Sequence, residues 1–142
     1  MGTGPLTGLL LDTCACIWVS EDEPLADAAV EALNQSWQAG QNVHVSPFTA
    51  WEIGMLMSRG RLKSRLSPRA WFHRLTSVDG VALAQLSPDI LLESNVLPGN
   101  PPRDPADRII IATARETGLT IVTRDQLILD YAAEGHVLAL AC

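Results

Sequence analysis

Residues 9–11 are three leucines in a row, and residues 119–123 read Leu-Thr-Ile-Val-Thr. Neither run shows the apolar-polar alternation of a strand with one wet face, so each reads as a strand covered on both sides. Between such runs lie repeated helix-opening signals. Ser46-Pro47, Ser67-Pro68, Ser87-Pro88 and Asp104-Pro105 each pair an N-cap side chain with a proline at the first helical position. The spacing predicts strands over 8–12, 43–45, 81–86, 119–123 and 137–140. Helices are expected over 24–39, from Ser46-Pro47 to about residue 58, from Ser67-Pro68 to about 76, and from Ser87-Pro88 to about 96. Two more are expected from Asp104-Pro105 to Gly118 and over 125–133. Strands alternating with helices give an α/β fold: a central parallel sheet of about four to five strands flanked by helices. Right-handed crossovers would bring the strand C-termini to one edge, where α/β sites form.

A chain of 142 residues fits one domain, 1–142, with no repeat or linker. It is long enough to bury roughly two-thirds of its unfolded surface without a disulfide or zinc staple. Its three cysteines, Cys14, Cys16 and Cys142, have no zinc-ligand spacing. Cys14 and Cys16 are expected as small buried residues, and the odd count fits a reducing cytoplasm. No apolar run approaches the ~20 residues that span a bilayer, and residues 1–8 lack the charged region of a signal peptide.

Four acids each stand beside an apolar run. Asp12 follows the leucines, Glu52 sits in Thr-Ala-Trp-Glu-Ile, Asp107 precedes Arg-Ile-Ile-Ile, and Asp125 follows Ile-Val-Thr-Arg. Asp12 and Asp125 belong to the C-terminal edge of the sheet, and Asp107 and Glu52 to early turns of helices that adjoin it. Two carboxylates about 5 Å apart repel by roughly 3 kcal/mol at an effective dielectric near 20. A converging set of four would hold protons or recruit a cation. All-oxygen donors without His or Cys suit Mg²⁺ or Mn²⁺, which activate water for phosphodiester hydrolysis. Taken singly, each acid has a plainer role. Asp12 and Asp125 could cap the segments after them. Asp104 and Asp107 could form a capping box, and Glu52 could be a solvated helix residue.

A net charge of −6 argues against indiscriminate nucleic-acid binding, yet the charge is polarised. Residues 12–31 hold six acids and no base, whereas 59–74 hold Arg59, Arg61, Lys63, Arg65, Arg69 and Arg74, six of the ten basic residues. His44, His73 and His136 form no pair at ligand spacing, and His44 between two valines is expected to face away from the core. Trp18, Trp37, Trp51 and Trp71 read as core or groove residues.

Together these segments resemble the PIN-domain ribonucleases, specifically the VapC-type toxins of toxin–antitoxin pairs. The resemblance runs nearly end to end. It rests on Leu9-Leu10-Leu11-Asp12-Thr13, on Ser46-Pro47-Phe48-Thr49-Ala50-Trp51-Glu52-Ile53-Gly54, on Arg103-Asp104-Pro105-Ala106-Asp107-Arg108, and on Ile121-Val122-Thr123-Arg124-Asp125. Ala106 departs from the larger residue common there, which touches local packing and leaves the acids intact. The resemblance implies a three-layer PIN-like fold and a Mg²⁺-dependent endoribonuclease of transfer or ribosomal RNA. It also implies a VapB-like antitoxin, a homodimer, and Asp12, Glu52, Asp107 and Asp125 as metal-binding catalytic acids. Asp104 and Thr123 match accessory positions. On this reading Arg59, Arg61, Lys63 and Arg65 contact the RNA backbone. Two alternatives stay open. One is a Mg²⁺-binding phosphotransfer or receiver-like domain, for which the single lysine, Lys63, is badly placed. The other is a catalytically silent PIN-fold module that binds a partner in a groove of Trp18, Met55, Met57 and Trp71.

Overall fold

A computed structural model describes residues 8–142. Residues 1–7, read above for the absence of a signal peptide, lie outside the described residues. Five strands, β1 (Leu9–Leu11), β2 (Val43–Val45), β3 (Val81–Leu83), β4 (Thr120–Thr123) and β5 (Leu138–Ala141), form one sheet in the order β3-β2-β1-β4-β5. Every neighbouring pair is parallel. The helices are α1 (Thr13–Ser20), α2 (Asp27–Gln38), α3 (Pro47–Ser58), α4 (Pro68–Thr76), α5 (Pro88–Glu93), α6 (Pro105–Thr117) and α7 (Gln126–Ala133).

The three leucines of β1 explain the layering. Side chains alternate across a strand. Leu10 joins Ile121, Ile90, Ile110, Ile111, Ile128 and Tyr131 in a core under α5, α6 and α7. Leu9 and Leu11 join Val122, Ala15, Ala29, Ile53, Trp71 and Leu75 in a second core under α1 to α4. The central strand is therefore fully buried, as an unalternating run requires.

The helix-opening signals act as expected. Ser46 accepts from the Phe48 amide at 3.0 Å, Ser67 from Ala70 at 3.1 Å, Ser87 from Ile90 at 3.3 Å and Asp104 from Asp107 at 3.0 Å. Each satisfies an orphan donor of the first turn. Helix α6 closes at Gly118, whose φ of +71° only glycine adopts without strain.

Several boundaries differ from expectation. Helix α2 begins at Asp27 rather than residue 24, with Ala26 at the N-cap position and no side-chain cap bond. Strand β3 stops at Leu83 and helix α5 at Glu93. The largest departure is α1. Thr13–Ser20 is rich in Cys and β-branched residues, which favour strands, yet it is helical because Asp12 caps it through Ala15. This helix turns Cys16 into the core and Cys14 outward, so the expectation that both are buried holds for Cys16 alone. Trp37 and Trp51 are also exposed rather than core. His44 does not face away from the core: its Nδ1 is buried and has no hydrogen-bond partner among the described residues.

Candidate active site

The C-terminal edge of the sheet gathers the acids. Asp12 follows β1 and Asp125 follows β4, strands that pair directly with Leu11 opposite Val122. Helix α6 brings Asp107 in its first turn and α3 brings Glu52 in its second. A pocket of about 250 Å³ between them is lined by Asp12, Glu52, Asp107 and Asp125, together with Thr13, Cys14, Trp18, Ala106, Ile110 and Arg124. All four acids expected from sequence therefore converge.

Hydrogen bonds hold the carboxylates in place. Asp12 is 7% exposed and is the most confined of the four. Its Oδ1 accepts the Ala15 amide at 2.7 Å, and its Oδ2 accepts the Thr123 hydroxyl in a short contact. The same Thr123 Oγ1 accepts the Asp125 amide at 2.9 Å. Thr123, fully buried, thus hydrogen-bonds to both Asp12 and Asp125. Asp125 Oδ1 accepts the Leu127 amide at 2.8 Å. Across the pocket, the Thr13 hydroxyl donates to Glu52 Oε1 at 2.5 Å and lies 3.1 Å from the Thr49 hydroxyl.

Helix capping and site chemistry turn out to be one arrangement. Asp12 caps α1 and Asp125 caps α7 with one oxygen each, which leaves the other oxygen of each carboxylate for a different partner. Asp104 caps α6 through the Asp107 amide and does not line the pocket. Asp107 lines the pocket with Asp125, whose negative charge acts on its carboxyl.

Asp107 is pushed up to about 7, first by burial, then by the negative charges of Asp125, Asp104 and Asp12. Burial is also the main force raising Asp12, against the lowering effect of the Thr123 and Ala15 bonds. Glu52 is raised by burial and, less, by Asp104 and Asp12, while the Thr13 bond lowers it. The Cys14 thiol is held up at about 11 by burial and then by the charges of Asp12, Glu52, Asp125 and Asp107. A thiol so placed stays protonated and is a poor nucleophile.

These residues fit a hard divalent cation by donor chemistry: four carboxyl groups and no imidazole line one pocket. Among the described residues no three ligating side chains already stand as a closed metal cage.

The basic segment behaves differently from the acids. Arg59, Arg61, Lys63 and Arg65 are exposed beyond the end of α3 and none of them lines the pocket. The basic residue that does line it is Arg124, which the charge pattern did not single out. The signal was its place beside Asp125, at the end of a strand. Lys63 does not line the acid pocket, so the receiver-like alternative lacks the lysine it needs there. Trp71 is buried in the core with Trp18 and Met57 packed against the same cluster, so it is not free to line a partner groove.

Comparison with known proteins follows the same lines. The family model described as PIN domain matches residues 9–134. Ribonuclease VapC22 of Mycobacterium tuberculosis is 30% identical over 122 residues, covering 85% of this chain and 89% of that protein. A structure of VapBC2 from Rickettsia felis bound to a DNA fragment from their promoter superposes with a TM-score of 0.67 at 14% identity, covering 94% of this chain and 97% of that one. A DNA-bound VapBC structure from Salmonella typhimurium gives 0.56 at 19% identity, covering 96% and 98%.

Proposed function

The chain belongs to the PIN-domain family, and from that premise we propose that it is a divalent-metal-dependent endoribonuclease toxin silenced by a cognate antitoxin. The observation that carries this reading is the convergence of Asp12, Glu52, Asp107 and Asp125 on one pocket at the C-terminal edge of the sheet. The relative named a ribonuclease supports the substrate, and the VapBC complexes among the fold neighbours support a VapB-like partner.

Asp12 and Asp107 would hold the main ion, Mg²⁺ or Mn²⁺, with Asp125 and Glu52 completing its shell or orienting water. When bound, such an ion supplies an activated water and stabilises charge developing on the phosphate. The protein's own part is positional. Thr123 fixes the Oδ2 of Asp12 and Thr13 fixes the Oε1 of Glu52, while Asp107 would offer its carboxyl to the ion. The exposed Arg59, Arg61, Lys63 and Arg65 would meet the RNA backbone outside the pocket. The substrate class is structured RNA, transfer or ribosomal, cut in the cytoplasm by a homodimer.

The direct test incubates the purified chain with total RNA and maps the new ends. Cleavage is expected with added Mg²⁺ or Mn²⁺, to stop with EDTA, and to return with excess metal. Undiminished cleavage in EDTA, or none with any divalent ion, would remove the proposal. A finer test addresses Thr123. Thr123→Val deletes the hydroxyl that serves Asp12 and Asp125, and is expected to cost roughly 10- to 100-fold in rate, as ligand-orienting partners do. Thr123→Ser should recover most of it. Equal rates for all three proteins would show that the hydroxyl orients nothing that matters to catalysis.

A further inference from the structure

Arg124 is a cation at the rim of an acidic pocket that pairs with none of its acids. The ion pair recorded within 4.0 Å among the described residues is His136–Glu134, at 3.8 Å. Three contacts hold Arg124 in place instead. Its Nε donates to a main-chain oxygen of Cys142 at 2.7 Å, and its Nη2 donates to the Pro24 carbonyl at 2.6 Å. Its Cζ lies 3.8 Å from the centroid of the Trp18 ring, which also lines the pocket. These contacts engage one side of the guanidinium fork and leave Nη1 as the donor without a partner among the described residues.

An arginine free to move beside four carboxyl groups would fold onto them and be neutralised. Held back by two main-chain oxygens and an indole face, it keeps its charge and its planar donor edge available. We propose that Arg124 is a phosphate-binding residue of this site, taking a non-bridging oxygen of the RNA backbone next to the phosphodiester that is cut. This rests on the ribonuclease reading. It adds a fixed positive charge where a polyanionic substrate must approach an acidic pocket, and fixing the donor beforehand lowers the ordering cost of binding.

The test measures kcat and KM on a defined single-stranded RNA with Mg²⁺, over a range of salt, for wild type, Arg124→Gln and Arg124→Lys. Arg124→Gln is expected to raise KM roughly 10- to 100-fold, the range for a lost charge-assisted hydrogen bond. The slope of log(kcat/KM) against log salt should flatten by about 0.7, one phosphate contact on a single strand. Arg124→Lys should keep the wild-type slope and recover part of KM. A wild-type KM and slope in Arg124→Gln would overturn the proposal. So would a lowered melting temperature with an unchanged slope, since that marks a clamp for Pro24 and Cys142 alone. Failure of the wild type to cut RNA is a separate result and strikes the ribonuclease reading itself.

Discussion

Asp12→Asn is expected to lower RNA cleavage by on the order of 10³-fold and to leave the melting temperature within about 2 °C of wild type. The two halves follow from the two oxygens of Asp12. One caps α1 by accepting the Ala15 amide, and asparagine caps as well as aspartate does. The other accepts the Thr123 hydroxyl, and that hydroxyl can turn to meet the asparagine amide. Burial makes the charge of Asp12 costly to the fold, so a neutral side chain of the same shape removes a strain. What asparagine cannot supply is the anionic oxygen that holds a divalent ion. Rates on RNA, with thermal melts on the same preparations, read both halves. Full activity in Asp12→Asn would sink the assignment of the site.

Asp107→Asn separates stability from function more sharply, because it should improve one and destroy the other. In the folded protein Asp107 titrates at about 7, far above the ordinary value of 3.8. The folded state therefore keeps a proton that the unfolded chain gives up near pH 4. Stability contributed by this group is complete below that point and is lost as pH rises toward 7. Above about pH 7 the metal-free protein carries the full electrostatic cost, and asparagine carries none of it. The site is open to solvent, so the gain is discounted to about 1 kcal/mol, or roughly 2–4 °C in melting temperature at pH 8. The two proteins should converge near pH 4. Added Mg²⁺ should raise the wild type at pH 8 and leave the variant nearly unmoved, since only the wild type gains an ion in exchange for its proton. Cleavage by Asp107→Asn should be lost by a factor similar to that for Asp12→Asn. Parallel curves of melting temperature against pH would show that Asp107 holds no proton above the ordinary carboxylate range.

These expectations recast the choice between capping and catalysis that the sequence poses. Asp12 and Asp125 each cap a helix and line the pocket at once, because a carboxylate has two oxygens and a cap uses one. Asp104 caps and stays outside the pocket, while Asp107, three residues on, enters it. Strand-end acids in an α/β fold are efficient for this reason. The turn that leads from strand to helix needs an acceptor, and the same edge is where a ligand meets the sheet.

By itself the sequence determined the features that depend on near neighbours. An unalternating Leu9-Leu10-Leu11 forces a strand covered on both faces. Ser-Pro and Asp-Pro pairs open four helices, and Gly118 closes α6. The acids and their order were legible because each sits in a distinctive local frame. The tertiary structure alone decided what depends on distance through space. The strand order β3-β2-β1-β4-β5 sets β1 against β4 and so puts Asp12 beside Thr123, 111 residues away in the chain. Helix α1 forms against its residue preferences, because a cap from Asp12 and burial of Ala15 and Cys16 outweigh a few tenths of a kcal/mol per residue. The raised proton affinity of Asp107 arises only after folding has removed water and brought like charges together. Arg124 is set apart by its contacts with Trp18, Pro24 and Cys142, which come from three other parts of the chain. Burial and charge coupling are sums over neighbours that no local window of sequence contains.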